Sequence, residues 1–214
     1  MTDHRLVSSA PAAGRAIAVT FDDGPSGSTQ DVLEILEAHE ARGTFFVVGL
    51  WAERLPDVVR AIAERGHEVG NHTWTHFDAS EVPDEERWRD ELRRTSEKIA
   101  DTAGRAPVLF RPPYGHESDR FAAVAADCGL EATVLWSVDP EDWESNEDDG
   151  LIEARVLAEA HPGAIVLHHD GDVREELNRG LPQAGTVRAL PRILERLADD
   201  GYRFVTVSEL LAAA

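Results

Sequence analysis

Two carboxylates stand side by side in Thr20-Phe21-Asp22-Asp23-Gly24-Pro25, directly after the apolar run 16–19. Such a run, ended by Gly-Pro, reads as a buried strand with the two acids at its C-terminal tip. Successive residues of an extended chain face opposite sides. One carboxylate can then bind a metal while its neighbour stays free to act as a base. His72 and His76 lie four apart in His72-Thr73-Trp74-Thr75-His76. With one acid they make a two-histidine, one-carboxylate metal site, and three protein ligands leave positions for water and substrate. No Glu follows the first His, so this is not the zinc-protease helix motif, and a loop is expected.

Three further clusters carry chemistry. Arg111 precedes Pro112-Pro113-Tyr114-Gly115. A guanidinium there can grip a carboxylate in a bidentate pair and keep it ionised. The two prolines stiffen the turn, so the Tyr114 N–H can be aimed as an oxyanion donor. Asp139 and Asp142 lie beside Trp143, and either acid can orient an imidazole and keep it protonated. In Leu167-His168-His169-Asp170, an inward Leu167 puts His169 inward as well. His169 is then the general acid and His168 a structural residue. His4 and His39 read as surface residues, His67 and His161 as loop or helix-end residues, and His116 has no assigned role.

The elements that must position these groups alternate. Strands are expected at 16–21, 44–48, 67–70, 108–110, 133–138, 164–167 and 203–207. Helices are expected at 31–41, 52–64 (interrupted near its start by Pro56), 83–103, 119–128, 151–160, 186–199 and 208–212. The acids and arginines of the helix at 83–103, capped by Ser80 or Asp84, read mostly as a solvated face. Strict alternation means a parallel sheet, and seven units in about 200 residues suggest a closed or nearly closed α/β barrel, with an open doubly wound sheet as the alternative. Each chemical cluster falls at the C-terminal end of a strand, the face where parallel barrels build active sites. Residues 1–14 read as a flexible arm and 15–214 as one catalytic domain. An acidic loop at 144–149 and a polar, lid-like loop at 173–184 flank the sixth strand.

The chain has 214 residues, 42% of them hydrophobic and 29% charged, which suits one globular domain. A net charge of −20 repels nucleic acid and anionic membranes and suits a neutral or cationic substrate. Cys128 is the only cysteine, which excludes an intrachain disulfide and a cysteine-built metal site. The N-terminal residues carry charges and no apolar core, so a cytoplasmic location is the default expectation, with secretion open if a signal is missing from this sequence. No obligate protein partner is expected.

Together, Thr-Phe-Asp-Asp-Gly-Pro, His-Thr-Trp-Thr-His, Arg-Pro-Pro-Tyr-Gly, Asp-Pro-Glu-Asp-Trp and Leu-His-His-Asp, in this order over about residues 16–210, resemble the polysaccharide deacetylase family (carbohydrate esterase family 4, the NodB-homology domain). The resemblance implies a distorted (β/α)7 barrel. It implies Asp22 as catalytic base, and Asp23, His72 and His76 as ligands of one divalent metal, zinc first, with cobalt or another ion as alternatives. It implies Arg111 paired with the base, Tyr114 N–H on the oxyanion, Asp142 orienting the acid His169, and Leu167 and Trp143 lining the acetyl pocket. The reaction implied is hydrolytic removal of N-acetyl or O-acetyl groups from a chitooligosaccharide, a peptidoglycan fragment or acetylxylan. A metal-dependent hydrolase of a small amide or ureide and a non-catalytic sugar-binding relative are the alternatives. Ser118 departs from the family pattern, where many relatives carry Asn; this bears on the local loop geometry.

Overall fold

The computed structural model describes residues 4–144, 148–172 and 183–214. The chain opens with a short strand β1 (Arg5–Val7), then β2 (Ala16–Asp22) and α1 (Gly27–Ala38). Next come β3 (Gly43–Val47), α2 (Gly49–Arg54), α3 (Pro56–Glu64), β4 (Glu68–Asn71) and the long α4 (Glu85–Ala103). The remainder is β5 (Leu109–Phe110), α5 (Asp119–Asp127), β6 (Ala132–Val134), α6 (Asp149–Glu159), β7 (Ile165–His169), α7 (Ala184–Asp199), β8 (Arg203–Phe204) and α8 (Val207–Ala212). The seven alternating units expected from the sequence are β2 to β8 with their helices.

Local signals set the boundaries. Ser26 caps α1 in a reciprocal box with Thr29, and Thr206 does the same for α8 with Glu209. Asp84 rather than Ser80 caps α4, accepting from the N–H groups of Glu86 and Arg87, and Gly104 ends that helix at φ 78°. Ser118 caps α5 through the Phe121 N–H, which gives that position a local structural role. Pro56 starts α3, so the helix expected at 52–64 is two, joined at Leu55.

All named strand pairs are parallel, in the order β1-β6-β5-β4-β3-β2-β7. β8 pairs with residues 16–17 of β2, below the stretch 19–22 that β3 takes. Past β6 the chain returns to the other edge: Val138 bridges Val166 of β7, and Leu167 N–H donates to Val138 O at 2.9 Å. The sheet thus curls onto itself as a distorted barrel.

The flexible arm expected over 1–14 needs correction. Arg5–Val7 pairs with Ala132–Val134, and His4 contacts Leu130 O and Thr133 Oγ1 at 2.8 Å each, so His4 is not a plain surface residue. The edge of β6 offers unpaired backbone groups, and a three-residue strand is enough to take them up. Three residues are too few to display a hydrophobic period.

Side chains alternate across β2 and sort into two layers. Ile17, Val19 and Phe21 point outward and pack with Val32, Leu33 and Leu36 of α1 and with Leu190, Ile193 and Leu194 of α7. Ala16 and Ala18 point inward with Phe46, Val134 and Ile165, and Leu210 of α8 joins this inner cluster. Small residues on β2 leave interior space for one large cation: the Arg111 guanidinium lies 4.2 Å from the centre of the Phe46 ring. A third cluster, including Phe77, Trp88, Leu92 and Phe121, seats α4 and α5. Among the described residues no helix is long and apolar enough to cross a membrane.

Candidate active site

The inward set of β2 continues from Thr20 to Asp22, which ends the strand. Asp23 does not continue it. Its φ is 72°, and this left-handed turn brings its carboxylate to the same mouth as Asp22. The expectation that the two acids face opposite sides is therefore corrected: opposition holds only while the chain stays extended. Gly24 follows because a Cβ there would lie 2.4–2.7 Å from the Asp170 carboxylate.

His72 follows β4, and His76 closes the next turn at φ 55°. Their Nε2 atoms lie 3.4 and 3.1 Å from Asp23 Oδ1, and His72 Nε2 lies 3.8 Å from Asp22 Oδ2. The Nδ1–H of His72 donates to Arg111 O at 2.7 Å, which leaves the Nε2 lone pair facing the acids. Asp23 Oδ1 is buried and has no hydrogen-bond partner among the described residues. These observations fit a divalent cation. Bonds of about 2.1 Å at a tetrahedral angle separate two ligand atoms by about 3.4 Å, close to what Asp23 makes with each histidine. Burial raises the Asp23 carboxyl, but the charge of His76 and the closeness of both imidazoles outweigh it and hold the group well below the usual carboxylate range.

Arg111 is fully buried beneath this mouth. Its Nη1 donates to Asp22 Oδ1 at 2.8 Å and to Thr20 Oγ1 at 2.7 Å; Nε and Nη2 go to Val134 O and Leu135 O. The pairing with Asp22 is thus as expected, but it is not bidentate. The barrel wall takes the other donors, so one N–H reaches the carboxylate.

His169 is the register partner of Asp22 on the adjacent strand, and both point inward. Its Nδ1 lies 2.6 Å from Asp142 Oδ1, and its main-chain N–H donates to Asp142 Oδ2 at 2.9 Å. Thr186 of α7 donates to the same Oδ2 at 2.6 Å. Burial works against the imidazolium, but the Asp142 carboxylate overcomes it and pushes the His169 pKa up to about 10. Asp142 in turn lies well below its ordinary range: burial raises it, and the His169 charge outweighs that. His168 points outward and stacks on Phe21 at 5.8 Å, as strand alternation requires.

A cleft of roughly 430 Å³ opens above these groups. Leu167, Trp143 and Tyr114 all line it, with Trp136 and Asp139 beside them. Trp143 and Tyr114 stand at the rim, 47% and 59% exposed, and the Tyr114 ring meets His76 edge-on at 4.8 Å. Tyr114 adopts φ 61° after the two prolines, and its N–H makes no hydrogen bond among the described residues.

Several residues here carried little or no sequence signal. Thr186 sits 44 positions from Asp142, and no local pattern links them. Asp170 closes the cluster that begins at Leu167, yet it is buried behind the site. Its N–H donates to Asp22 O at 3.1 Å, and Thr29 donates to its carboxylate. Burial first, then the charges of Asp22 and Asp23, push its pKa up to about 7. Of the expected acidic loop, Asp148 caps α6 and Asp149 pairs with Arg188 and Arg192. Residues 145–147 of that loop, and 173–182 of the expected lid, lie outside the described residues.

Comparison with known proteins points the same way as the geometry. A family model for polysaccharide deacetylase matches residues 9–133. The chain is 41% identical over 200 residues to a peptidoglycan-N-acetylglucosamine deacetylase of Bacillus cereus, covering 92% of this chain and 88% of that one. It is 40% identical over 192 residues to a chitooligosaccharide deacetylase of Sinorhizobium fredii, covering 87% of each. Among solved structures, a peptidoglycan N-acetylglucosamine deacetylase in complex with 4-naphthalen-1-yl-N-oxidanyl-benzamide superposes with a TM-score of 0.88 at 33% identity, over 97% of this chain and 92% of that one. The strand-end acids, the histidine pair and the inward His169 therefore sit on a matching frame, and the chain belongs to the polysaccharide deacetylase family.

Proposed function

We propose that this chain is a metal-dependent deacetylase that hydrolyses N-acetyl groups on glycans built from N-acetylglucosamine. One observation carries the reading: Asp22 and His169 are neighbours on adjacent strands, and Asp23, His72 and His76 converge beside Asp22 in the same cleft. Substrate class follows from what the named relatives share, since peptidoglycan and chitooligosaccharides both contain acetylated glucosamine.

Asp23, His72 and His76 would hold the ion, with zinc favoured by a donor set of two imidazoles and one carboxylate. Bound there, a divalent cation supplies Lewis-acid polarisation of the acetyl carbonyl and acidifies water. Asp22, held in place by Arg111, takes a proton from the attacking water. The Tyr114 N–H donates to the oxygen on which negative charge develops. His169, kept protonated by Asp142, gives its proton to the departing amine. Amine expulsion needs that proton, which accounts for a base and an acid on adjacent strands. Leu167 and Trp143 exclude water around the acetyl methyl. The relative's bound benzamide carries an N-oxidanyl group, a hydroxamate, and hydroxamates chelate divalent ions; the same inhibitor class would block this chain.

The test is acetate release from chitooligosaccharides, peptidoglycan fragments, acetylxylan and a small ureide, with and without a chelator. Release from the glucosamine-based glycans alone, lost on chelation and regained with zinc, supports the proposal. Turnover of the ureide alone, or undiminished release after the metal is stripped, contradicts it.

A further inference from the structure

Residues Thr73, Trp74 and Thr75 join the two histidines, and almost every polar group in this turn is accounted for. Thr73 N–H donates to Asn71 Oδ1 at 2.8 Å. Trp74 and Thr75 N–H both donate to Glu91 Oε2, at 2.8 and 2.7 Å, and Thr75 Oγ1 donates to Glu91 Oε1 at 2.7 Å. The carbonyls of Thr73 and Trp74 accept from Gly49 and Leu50 at the start of α2. Asn71 is itself held by Leu92 O and Ser96 Oγ of α4. The turn has two non-glycine residues at positive φ, Thr73 at 65° and His76 at 55°. Such conformations persist only where the surroundings over-determine them.

Glu91 is the one buried acid of α4, with Arg87 Nε 4.0 Å from its Oε1; neighbours such as Asp90 and Glu97 are half exposed and pair with arginines at the surface. The other acids of α4 form the mostly solvated face expected of it, and Glu91 is the exception. The two histidines also differ in support. His72 is fixed through Nδ1 by Arg111 O. His76 Nδ1 has no partner among the described residues, so its ring is aimed by the backbone of the turn and by packing on His72 and Tyr114. The backbone of that turn is what Glu91 holds.

We propose that Glu91 is a positioning residue of the metal centre: by clamping the Trp74 and Thr75 amides it aims His76 at Asp23, and so sets how tightly the site binds its cation. This rests on the metal reading above. Without the carboxylate, two main-chain N–H groups lose their acceptor in a buried turn. The turn then relaxes, and the His76 end moves first.

The experiment is zinc titration of the metal-stripped full chain against a chromophoric chelator, with melting temperature measured in parallel. Glu91→Gln can retain all three bonds and is expected to bind zinc within about threefold of wild type, whereas Glu91→Leu is expected to lose about 10- to 100-fold. Thr75→Val removes one bond at an exposed side chain and is expected to fall between them. Ile99→Ala, farther along α4, lowers the melting temperature and leaves zinc affinity unchanged. Wild-type affinity in folded Glu91→Leu overturns the proposal, as does an equal loss in Ile99→Ala. If Glu91→Leu does not fold, Thr75→Val decides, and wild-type affinity there overturns it. Failure of the metal reading is distinct: wild type would then bind no zinc, or bind it equally after His76→Ala.

Discussion

The Nδ1–H of His72 donates to the main-chain carbonyl of Arg111, 2.7 Å away, and this bond decides which ring nitrogen faces Asp23. The side chain of the same Arg111 reaches Asp22 at 2.8 Å. One residue thus orients a metal-ligand candidate through its backbone and the base candidate through its guanidinium. The two functions are separable by mutation, because a side-chain change leaves the carbonyl in place.

Arg111→Met should therefore cut kcat by about 10²-fold or more while changing zinc affinity by less than about tenfold. It should also destabilise the fold by roughly 3 kcal/mol or more, since Asp22 is left buried without its cation. Steady-state kinetics, chelator competition and thermal melting check the three parts. An equal loss of zinc affinity and kcat would place the effect in the backbone instead.

The alkaline limb of the pH profile should follow Asp142. Burial opposes the His169 charge, and the Asp142 carboxylate lifts its pKa to about 10. The active form is protonated, so activity persists through neutral pH and is lost as pH rises through that pKa. A cation in the cleft repels the imidazolium, which makes about 10 an upper bound for the limb. In Asp142→Asn burial goes unopposed by that charge, and the limb should move down by at least about two pH units. A pH profile of kcat for both proteins measures this.

Gly49 allows the turn between the histidines to close. A Cβ there would lie 2.4 Å from Trp74 Cε3 and 2.6 Å from Thr95 Oγ1. Gly49→Ala should cost about 1–3 kcal/mol in stability through overpacking. It should also lower kcat/KM, because the strain falls on the loop carrying His72 and His76. Melting curves and kinetics on the purified variant test both effects.

His67 should govern part of the acid stability. It is buried, and its Nδ1 accepts the Gly43 N–H at 3.2 Å. Burial first, then Arg65 and Arg42, lower its pKa to about 4. Between pH 6.5 and 4 the unfolded chain takes up this proton and the folded chain does not, so this contribution to stability falls as pH falls through that window. His67→Gln keeps an acceptor without titrating, and its melting temperature should decline less steeply over the same range.

Much of the site was legible because its signals are local. A strand period of two places Asp22, Leu167 and His169 inward and His168 outward. Strand–helix alternation places the clusters on one rim, and the barrel bears this out. What was not legible depends on tertiary contact or on single dihedral angles. Asp23 leaves the strand at one left-handed φ, so both acids face one mouth. Arg111 makes one bond to Asp22 because barrel carbonyls take its other donors. Glu91 and Thr186 act from distant helices, where neither periodicity nor spacing distinguishes them from solvated polar residues. Arg5–Val7 became a strand because β6 had a free edge.

The division of labour between the adjacent acids is the central claim, and Asp22→Asn compared with Asp23→Asn tests it most directly. Zinc stoichiometry and acetate release from a chitooligosaccharide would be measured on both. Asp22→Asn should keep one zinc per chain and lose about 10²- to 10⁴-fold in acetate release, as removal of a general base does. Asp23→Asn should lose the zinc itself. Zinc lost from Asp22→Asn and kept by Asp23→Asn would contradict the assignment, as would acetate release that neither change reduces.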